Sequence, residues 1–508
     1  MTSKNNDYLK LHALSRKTHL FQGIESLISW DQETYMPAGA SSIRAEQIEA
    51  LAGFIHKEKT SPTFSKALGK LINLDAGTVI GKDLSKMETV AVKEWYKDYR
   101  RDTALPNRFV EDFAKLTSQS IEVWKLARKD NAFHLFAPYL DKIVAMNRKK
   151  AELLGFDEHP YDALLNLYEP KATTKELRIL FKGLRQSLTA LLKKIASAKQ
   201  VDRSFLYGKF PEAKQLDFSK KVLNAMDYDL HHGRLDVSAH PFSTSSHPTD
   251  SRITTRIHSS SLMSSISAVL HEAGHSLYEM GLSHEQYGSP LGQALSLGMH
   301  ESQSRWWETR IGQSKPFWSH FLPLLKSAFK VKLDAVSLEA FYRAVNKVEP
   351  SVIRVEADEV TYCLHVLLRF ELEVDLIEGS LAIRDLPEAW NAKMKELLGI
   401  EPKTLSEGCL QDVHWSMGAF GYFPTYALGN LYASHLFTGF ENDFPHWEKE
   451  VAEGKLGFIK EWLSKNVYQH GRGYSSHELL KKATGKEFSD KAYMDYLTNK
   501  YKNIYKLT

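Results

Sequence analysis

A mainly α-helical protein is predicted from three features of the 508-residue sequence. Leu, Ala, Lys and Glu recur at three- and four-residue spacings along most of its length, which is the period of a helix face. Long β-branched runs are absent. No internal repeat, low-complexity tract or long Gly/Ser- or Pro-rich linker breaks the pattern, so residues 1–508 read as one large helical domain rather than beads on a string.

The elements follow in order. Thr173 with Glu176 forms a capping box ahead of Leu177, Ile179 and Leu180, and marks a helix start. From about Asp229 to Ile257 the helical period is lost. Arg234-Leu235-Asp236-Val237 is followed by a Ser/Thr/Pro/His stretch, and the alternation in Arg252-Ile253-Thr254-Thr255-Arg256-Ile257 predicts a short strand. A small β-sheet is therefore expected just upstream of the next helix, where an extended edge can bind a peptide backbone by adding a strand. Ser259-Ser260-Ser261 offers N-caps for that helix. Its apolar stripe is Leu262, Ile266, Val269, Leu270, Ala273, Leu277 and Met280. A second amphipathic helix is expected with Leu291, Leu295, Met299 and Trp306 on one face.

Composition narrows the class. Charged residues make up 25% and hydrophobic ones 43%, which is ordinary for a globular protein. A net charge of +4 spread over so large a surface makes no case for nucleic acid or for a membrane. The N-terminal residues show no apolar signal region, and no stretch reaches the length of a membrane span. The two cysteines, Cys363 and Cys409, read as free buried thiols. A soluble, cytoplasmic protein is the expectation.

The chemistry is concentrated in His271-Glu272-Ala273-Gly274-His275. A catalytic zinc needs neutral nitrogen donors, a third ligand and an open position for water. Two histidines four residues apart on a helix lie about 40° apart around the axis and about 6 Å along it, so both rings can converge on one ion. Glu272 sits on the neighbouring flank, where it can take a proton from water without being a ligand. By helical phase the histidines lie opposite the centre of the apolar stripe, hence towards a cleft. Glu301, in His300-Glu301-Ser302-Gln303 on the following helix, supplies the third ligand that a two-helix site requires.

The motifs around this site extend the pattern. Upstream stand His240-Pro241-Phe242 and Asp250-Ser251-Arg252-Ile253-Thr254. Downstream stand Ile353-Arg354-Val355-Glu356-Ala357-Asp358 and Gly408-Cys409-Leu410-Gln411-Asp412-Val413-His414-Trp415. In their order, and in Trp30-Asp31-Gln32-Glu33-Thr34, the sequence resembles the thermostable carboxypeptidase Taq family of zinc metallocarboxypeptidases along essentially its whole length. The resemblance implies a mostly α-helical fold with a deep active-site groove and a homodimer. It implies removal of single residues from peptide C-termini with broad preference. By the same analogy the ligands are His271, His275 and Glu301, and the general base is Glu272.

Further roles are expected from residue chemistry. The oxyanion of peptide hydrolysis needs a stabiliser besides zinc, and Tyr422 and His414 are the candidates. A terminal carboxylate suits the planar fork of an arginine, first Arg354 and then Arg252, with His240 and Gln411 lining the same groove. Arg305, four residues after Glu301, stands where several other zinc peptidases carry an acidic residue, so the carboxylate that orients the ligand histidines is left open. Cobalt or manganese could occupy the same ligands. The rival readings are an endo-acting zinc oligopeptidase of similar helical architecture, and a helical scaffold with a structural metal.

Overall fold

The structure, a computed structural model, describes residues 3–329 and 333–507. Helices dominate it and one three-stranded sheet interrupts them, as the periodicity predicts. No helix among the described residues is long and apolar enough to cross a membrane. The first four helices of the chain are α1 (Asn6–Thr34), α2 (Ser41–Lys59), α3 (Pro62–Leu68) and α4 (Lys86–Ala104). Tyr8 and Leu11 of α1, Phe64 and Leu68 of α3, and Val92 and Trp95 of α4 form a small core of their own. Leu291, from far along the chain, joins that small core. A much larger core holds the remaining helices together.

Helix α5 (Thr174–Ala196) starts where the capping box predicts: the Thr173 side chain accepts from the Glu176 backbone N–H. Leu177 is buried, but Ile179 is exposed and lies outside the predicted apolar face.

The irregular segment forms β1 (Gly233–Val237), β2 (Ser243–His247) and β3 (Asp250–Thr255). Their order is β1-β3-β2, with β1 parallel and β2 antiparallel to β3. The predicted strand thus begins two residues early and stops at Thr255. Because β3 is central, an added strand could join only β1 or β2. Gly23 of α1 already lies so close to β2 that a Cβ there would come within 2.7 Å of the Ser246 carbonyl oxygen. Alternation sets the two faces of β3. Ser251 bonds Ser276 (2.6 Å) and Thr255 bonds Ser265, while Arg252 and Thr254 point the other way.

The next helix, α6 (Met263–Met280), carries His271 and His275. Its N-cap is Leu262, with no side-chain cap, so the serines at 259–261 do not serve as expected. Ser259 and Ser260 instead accept backbone hydrogen bonds from Phe210 and Gly208. Leu262, Ile266, Val269, Leu270, Ala273 and Leu277 are all buried. The half-buried residues Ser264, Ser267, Ala268, His271, His275 and Glu279 recur every three or four positions, so one more open face carries both histidines.

Helix α7 (Leu297–Arg305) begins later than the sequence suggests. Leu291 and Leu295 precede it, and the Ser296 side chain caps it by accepting from Met299 N–H. It runs straight into a π-helix, Trp306–Ile311, whose wider turn shifts the helical phase of the residues beyond it. Helices α8 (Tyr362–Glu378) and α9 (Pro424–Asp443) are buried on nearly every side.

Two glycines let these helices meet at backbone distance. A Cβ on Gly274 of α6 would stand 2.6 Å from Ser304 Cα of α7. A Cβ on Gly429 of α9 would stand 2.6 Å from Glu301 Cβ. Neither neighbour is a flexible side-chain tip, so relief requires helix displacement. Gly274→Ala is therefore expected to lower unfolding stability by about 1–3 kcal/mol, as overpacking does, despite Ala's better helix propensity. Denaturant unfolding of the variant checks this; an unchanged midpoint would show that the helices are free to separate.

Candidate metal centre and active site

The α6–α7 contact brings His271, His275 and Glu301 together. One ligand atom from each lies within 4.8 Å of the others. Glu301 Oε2 is 3.7 Å from His271 Nε2 and 3.5 Å from His275 Nε2. Both histidines therefore aim the same ring nitrogen at the carboxylate.

Their other nitrogens are pinned. His271 Nδ1 meets Glu308 Oε2 at 2.8 Å. A carboxylate can only accept, so Nδ1 carries a proton, and in the neutral ring Nε2 keeps its lone pair. His275 Nδ1 meets His300 Nδ1 at 2.6 Å, and His300 Nε2 meets Glu279 Oε1 at 2.9 Å. The network assigns His300 as donor to Glu279 and acceptor from His275, which again frees Nε2 of the ligand histidine. Glu301 Oε1 is buried without a hydrogen-bond partner. Two imidazole lone pairs and an unpartnered carboxylate oxygen make a donor set that fits a divalent metal, and three protein donors leave room for reactants.

Against the cost of burial, the carboxylates of Glu301 and Glu308 raise His271 to about 9, so a cation bound there would displace its Nε2 proton. Burial opposes ionisation of Glu301, yet His271 and His275 beside it hold its carboxyl well below the usual range. Glu272 lies one residue from His271 and is 7% exposed. Burial pushes its carboxyl up to about 7.

Glu308 answers the question left by Arg305. The Arg305 guanidinium donates from Nη1 to Glu308 (2.8 Å) and from Nε to Asn430 (2.9 Å). The cation thus holds the carboxylate that holds His271. Sequence reasoning missed Glu308, although it stands seven residues from Glu301, two helical turns on. It also missed Glu279, four residues past His275 on the same face.

A second polar cluster lies behind three tyrosines. Asp412 Oδ1 accepts from Arg354 Nε (3.1 Å) and Nη2 (3.0 Å), and its Oδ2 accepts from Arg369 Nε (2.7 Å). Arg354 Nη1 donates to Tyr362 (3.2 Å). Gln411 is fully engaged: its oxygen accepts from Arg354 N–H and Arg369, and its amide donates to Val352 and Glu407 carbonyls. Burial lowers His365 to about 3 and His414 to about 4, so both rings are neutral near pH 7. Two guanidiniums sharing one carboxylate leave a net positive charge. Tyr362, Tyr422 and Tyr426 each feel the charges of both Glu301 and Arg354, which places them within electrostatic reach of both clusters. His414 Nε2 meets Tyr426 Oη at 3.2 Å, and its Nδ1 is buried without a partner. Sequence reasoning singled out neither Tyr426 nor Arg369.

Arg252 and His240 are not brought into contact with either cluster. Arg252 pairs with Asp250 (2.7 Å) and lies 4.4 Å over the Trp30 ring, on the face of β3 turned away from α6. His240 is exposed in the β1–β2 loop. Thr254 Oγ1 accepts from Phe242 N–H at 3.0 Å, so the two upstream motifs brace one another.

Comparison with known proteins matches this chain, over residues 10–501, to the family described as carboxypeptidase Taq (M32) metallopeptidase. It is 41% identical to thermostable carboxypeptidase 1 of Thermus thermophilus, covering 98% of this chain and 99% of that protein. It is 37% identical to carboxypeptidase 1 of Bacillus subtilis, covering 97% of each. The structure of an M32 carboxypeptidase from Deinococcus radiodurans R1 superposes with a TM-score of 0.95 at 36% identity, covering 99% of this chain and 100% of that one. A Pyrococcus furiosus carboxypeptidase superposes with a TM-score of 0.94 at 35% identity, again over 99% and 100%. These relatives are carboxypeptidases, and the endo-acting reading is not favoured. The chain belongs to the carboxypeptidase Taq (M32) family and is a metal-dependent carboxypeptidase, a peptide hydrolase.

Proposed function

We propose that the protein is a zinc carboxypeptidase that releases single residues from peptide C-termini with broad preference, and that His271, His275 and Glu301 hold the metal. The observation that carries this reading is the convergence of the three donors with both Nδ1 atoms tied back. Zinc bound there would polarise the scissile carbonyl and make water more acidic; cobalt or manganese could substitute.

The chain's own residues do the rest. Glu272 takes a proton from the attacking water and returns it to the departing amine nitrogen. Its buried, raised carboxyl suits a group that both accepts and releases a proton near neutrality. Tyr422 stays protonated, because burial raises its hydroxyl above the usual range, so it can donate to the oxyanion; His414 stands 5.3 Å from it, ring to ring, as the second donor. Arg354 meets the terminal carboxylate. Asp412 and Tyr362 take three of its five N–H donors and leave two. Gln411 sets the pair Arg354 and Arg369, and Arg252 and His240 are the further substrate-binding residues of this reading.

The reading extends to the whole molecule. Residues 1–508 act as one catalytic domain, supported by Leu291 bridging from beyond the metal helix into the small N-terminal core. A cytoplasmic location is supported by the two free, buried cysteines, and a homodimer by family resemblance.

Three outcomes are expected. Glu272→Gln should abolish turnover while zinc stays bound at wild-type stoichiometry; turnover near wild type would remove Glu272 as the base. Arg354→Ala should raise KM by about 10–100-fold, the worth of one or more hydrogen bonds between charged groups. Amidation of the peptide C-terminus should cut release by the wild type and narrow its advantage over that variant. Equal release from free and amidated peptides would remove Arg354 from carboxylate recognition. Glu308→Gln should weaken zinc affinity by about 10–100-fold in chelator competition, because a neutral amide accepts the same hydrogen bond without the charge.

A further inference from the structure

Between the helix that ends at Leu398 and the start of α9, the chain has no α-helix. His414 and Tyr422 both lie in this segment. Local turns shape it, with Met417 and Ala419 N–H both donating to the His414 carbonyl, and side-chain contacts anchor those turns to the helices around them. One side chain reaches both ends of the critical stretch. Glu373 of α8 is fully buried. Its Oε1 accepts from Trp415 Nε1 at 2.9 Å, next to His414. Its Oε2 accepts from Gly421 N–H at 3.0 Å, next to Tyr422, and from Tyr161 Oη at 2.6 Å. Tyr161 is itself fully buried. Gly421 has φ +90°, and a Cβ there would come within 2.7 Å of the Leu164 carbonyl carbon. The segment therefore passes tightly beneath the short helix Pro160–Leu165, at the point where Glu373 holds it.

We propose that Glu373 is a positioning residue for the reaction: its carboxylate fixes the residues on either side of the 415–421 stretch, and so sets His414 and Tyr422 for the oxyanion. This rests on the role given to those two residues under Proposed function. Nothing else in the mechanism uses Glu373, whose hydrogen bonds go to Trp415, Gly421 and Tyr161 and not to the three metal-binding residues. A buried carboxylate with three donors is costly to retain unless all three are held. Displacement of a catalytic group by about 1 Å costs on the order of 100-fold in rate.

The test separates this inference from its premise. Tyr422→Phe and His414→Ala are measured first in the full-length, zinc-loaded enzyme. Wild-type kcat in both would remove the oxyanion role and the inference with it. Given a loss there, Glu373→Gln should lower kcat by about 10–100-fold, with zinc affinity and KM near wild type. Hydrogen exchange should quicken in peptides covering 413–423 and not in those covering α6 or α7. In the Glu373→Gln/Tyr422→Phe double variant the loss should be less than the product of the single losses, since both act through one group. Wild-type kcat in Glu373→Gln, or full multiplication of the two losses, would overturn the inference. Should Glu373→Gln fail to fold, Tyr161→Phe and Trp415→Phe each remove one donor and should each lower kcat in part at unchanged zinc affinity. Wild-type kcat in both would overturn it equally.

Discussion

The backbone contact between α6 and α7 is the constraint on which the rest depends. Gly274 sits between the two histidines, and its missing Cβ lets the α7 backbone come against α6 at Ser304. That places Glu301 beside both imidazoles. Gly429 then lets α9 press on Glu301 from behind. Three helices are thus locked at distances that ordinary side chains forbid, and the carboxylate between them has little freedom to turn away. Preorganisation of this kind means that the donor geometry is fixed by packing rather than by the metal.

Charge is then nested outward from the metal centre in alternating signs. Glu308 holds His271, Arg305 holds Glu308, and the Arg305 guanidinium lies 4.5 Å over the Tyr362 ring. The Tyr362 hydroxyl accepts from Arg354, which shares Asp412 with Arg369. Buried charges persist only when paired and hydrogen-bonded, since desolvation otherwise costs several kcal/mol each. Here each group is paired in turn, and the far end keeps one positive charge in excess. The centre that would hold a cation and the cluster suited to an anion are thereby joined through one aromatic ring.

Much of this is legible in the sequence, and particular residues show why. The stripe from Leu262 to Leu277 reports the buried side of α6, because helical phase is local. The histidines fall opposite it for the same reason. The serines at 259–261 look like caps but are not: the helix starts behind Leu262, and the Ser259 and Ser260 carbonyls tie the preceding turn to Phe210 and Gly208. The second helix is shorter than its apolar pattern, because Leu291, though apolar and in phase, is buried in a different core. Arg354 stands out through its motif, but Tyr362, which accepts from it, and Arg369, which shares Asp412 with it, stand on a helix apolar enough to read as plain core.

By itself the sequence determined what helical phase reports: His271 and His275 on one face of α6, opposite its apolar stripe. It also determined the family, through motifs whose order survives at 35–41% identity over nearly the full chain. Only the tertiary structure decided which groups meet across helices. His300 is one residue from a predicted ligand, yet nothing in its spacing says that it will bond His275. That contact exists because α6 and α7 cross at Gly274, and a crossing angle is a property of two packed surfaces rather than of either sequence segment. The fate of Arg252 was decided in the same way. Strand alternation turned it from α6 towards Trp30, where its charge is spent on Asp250 and an aromatic face.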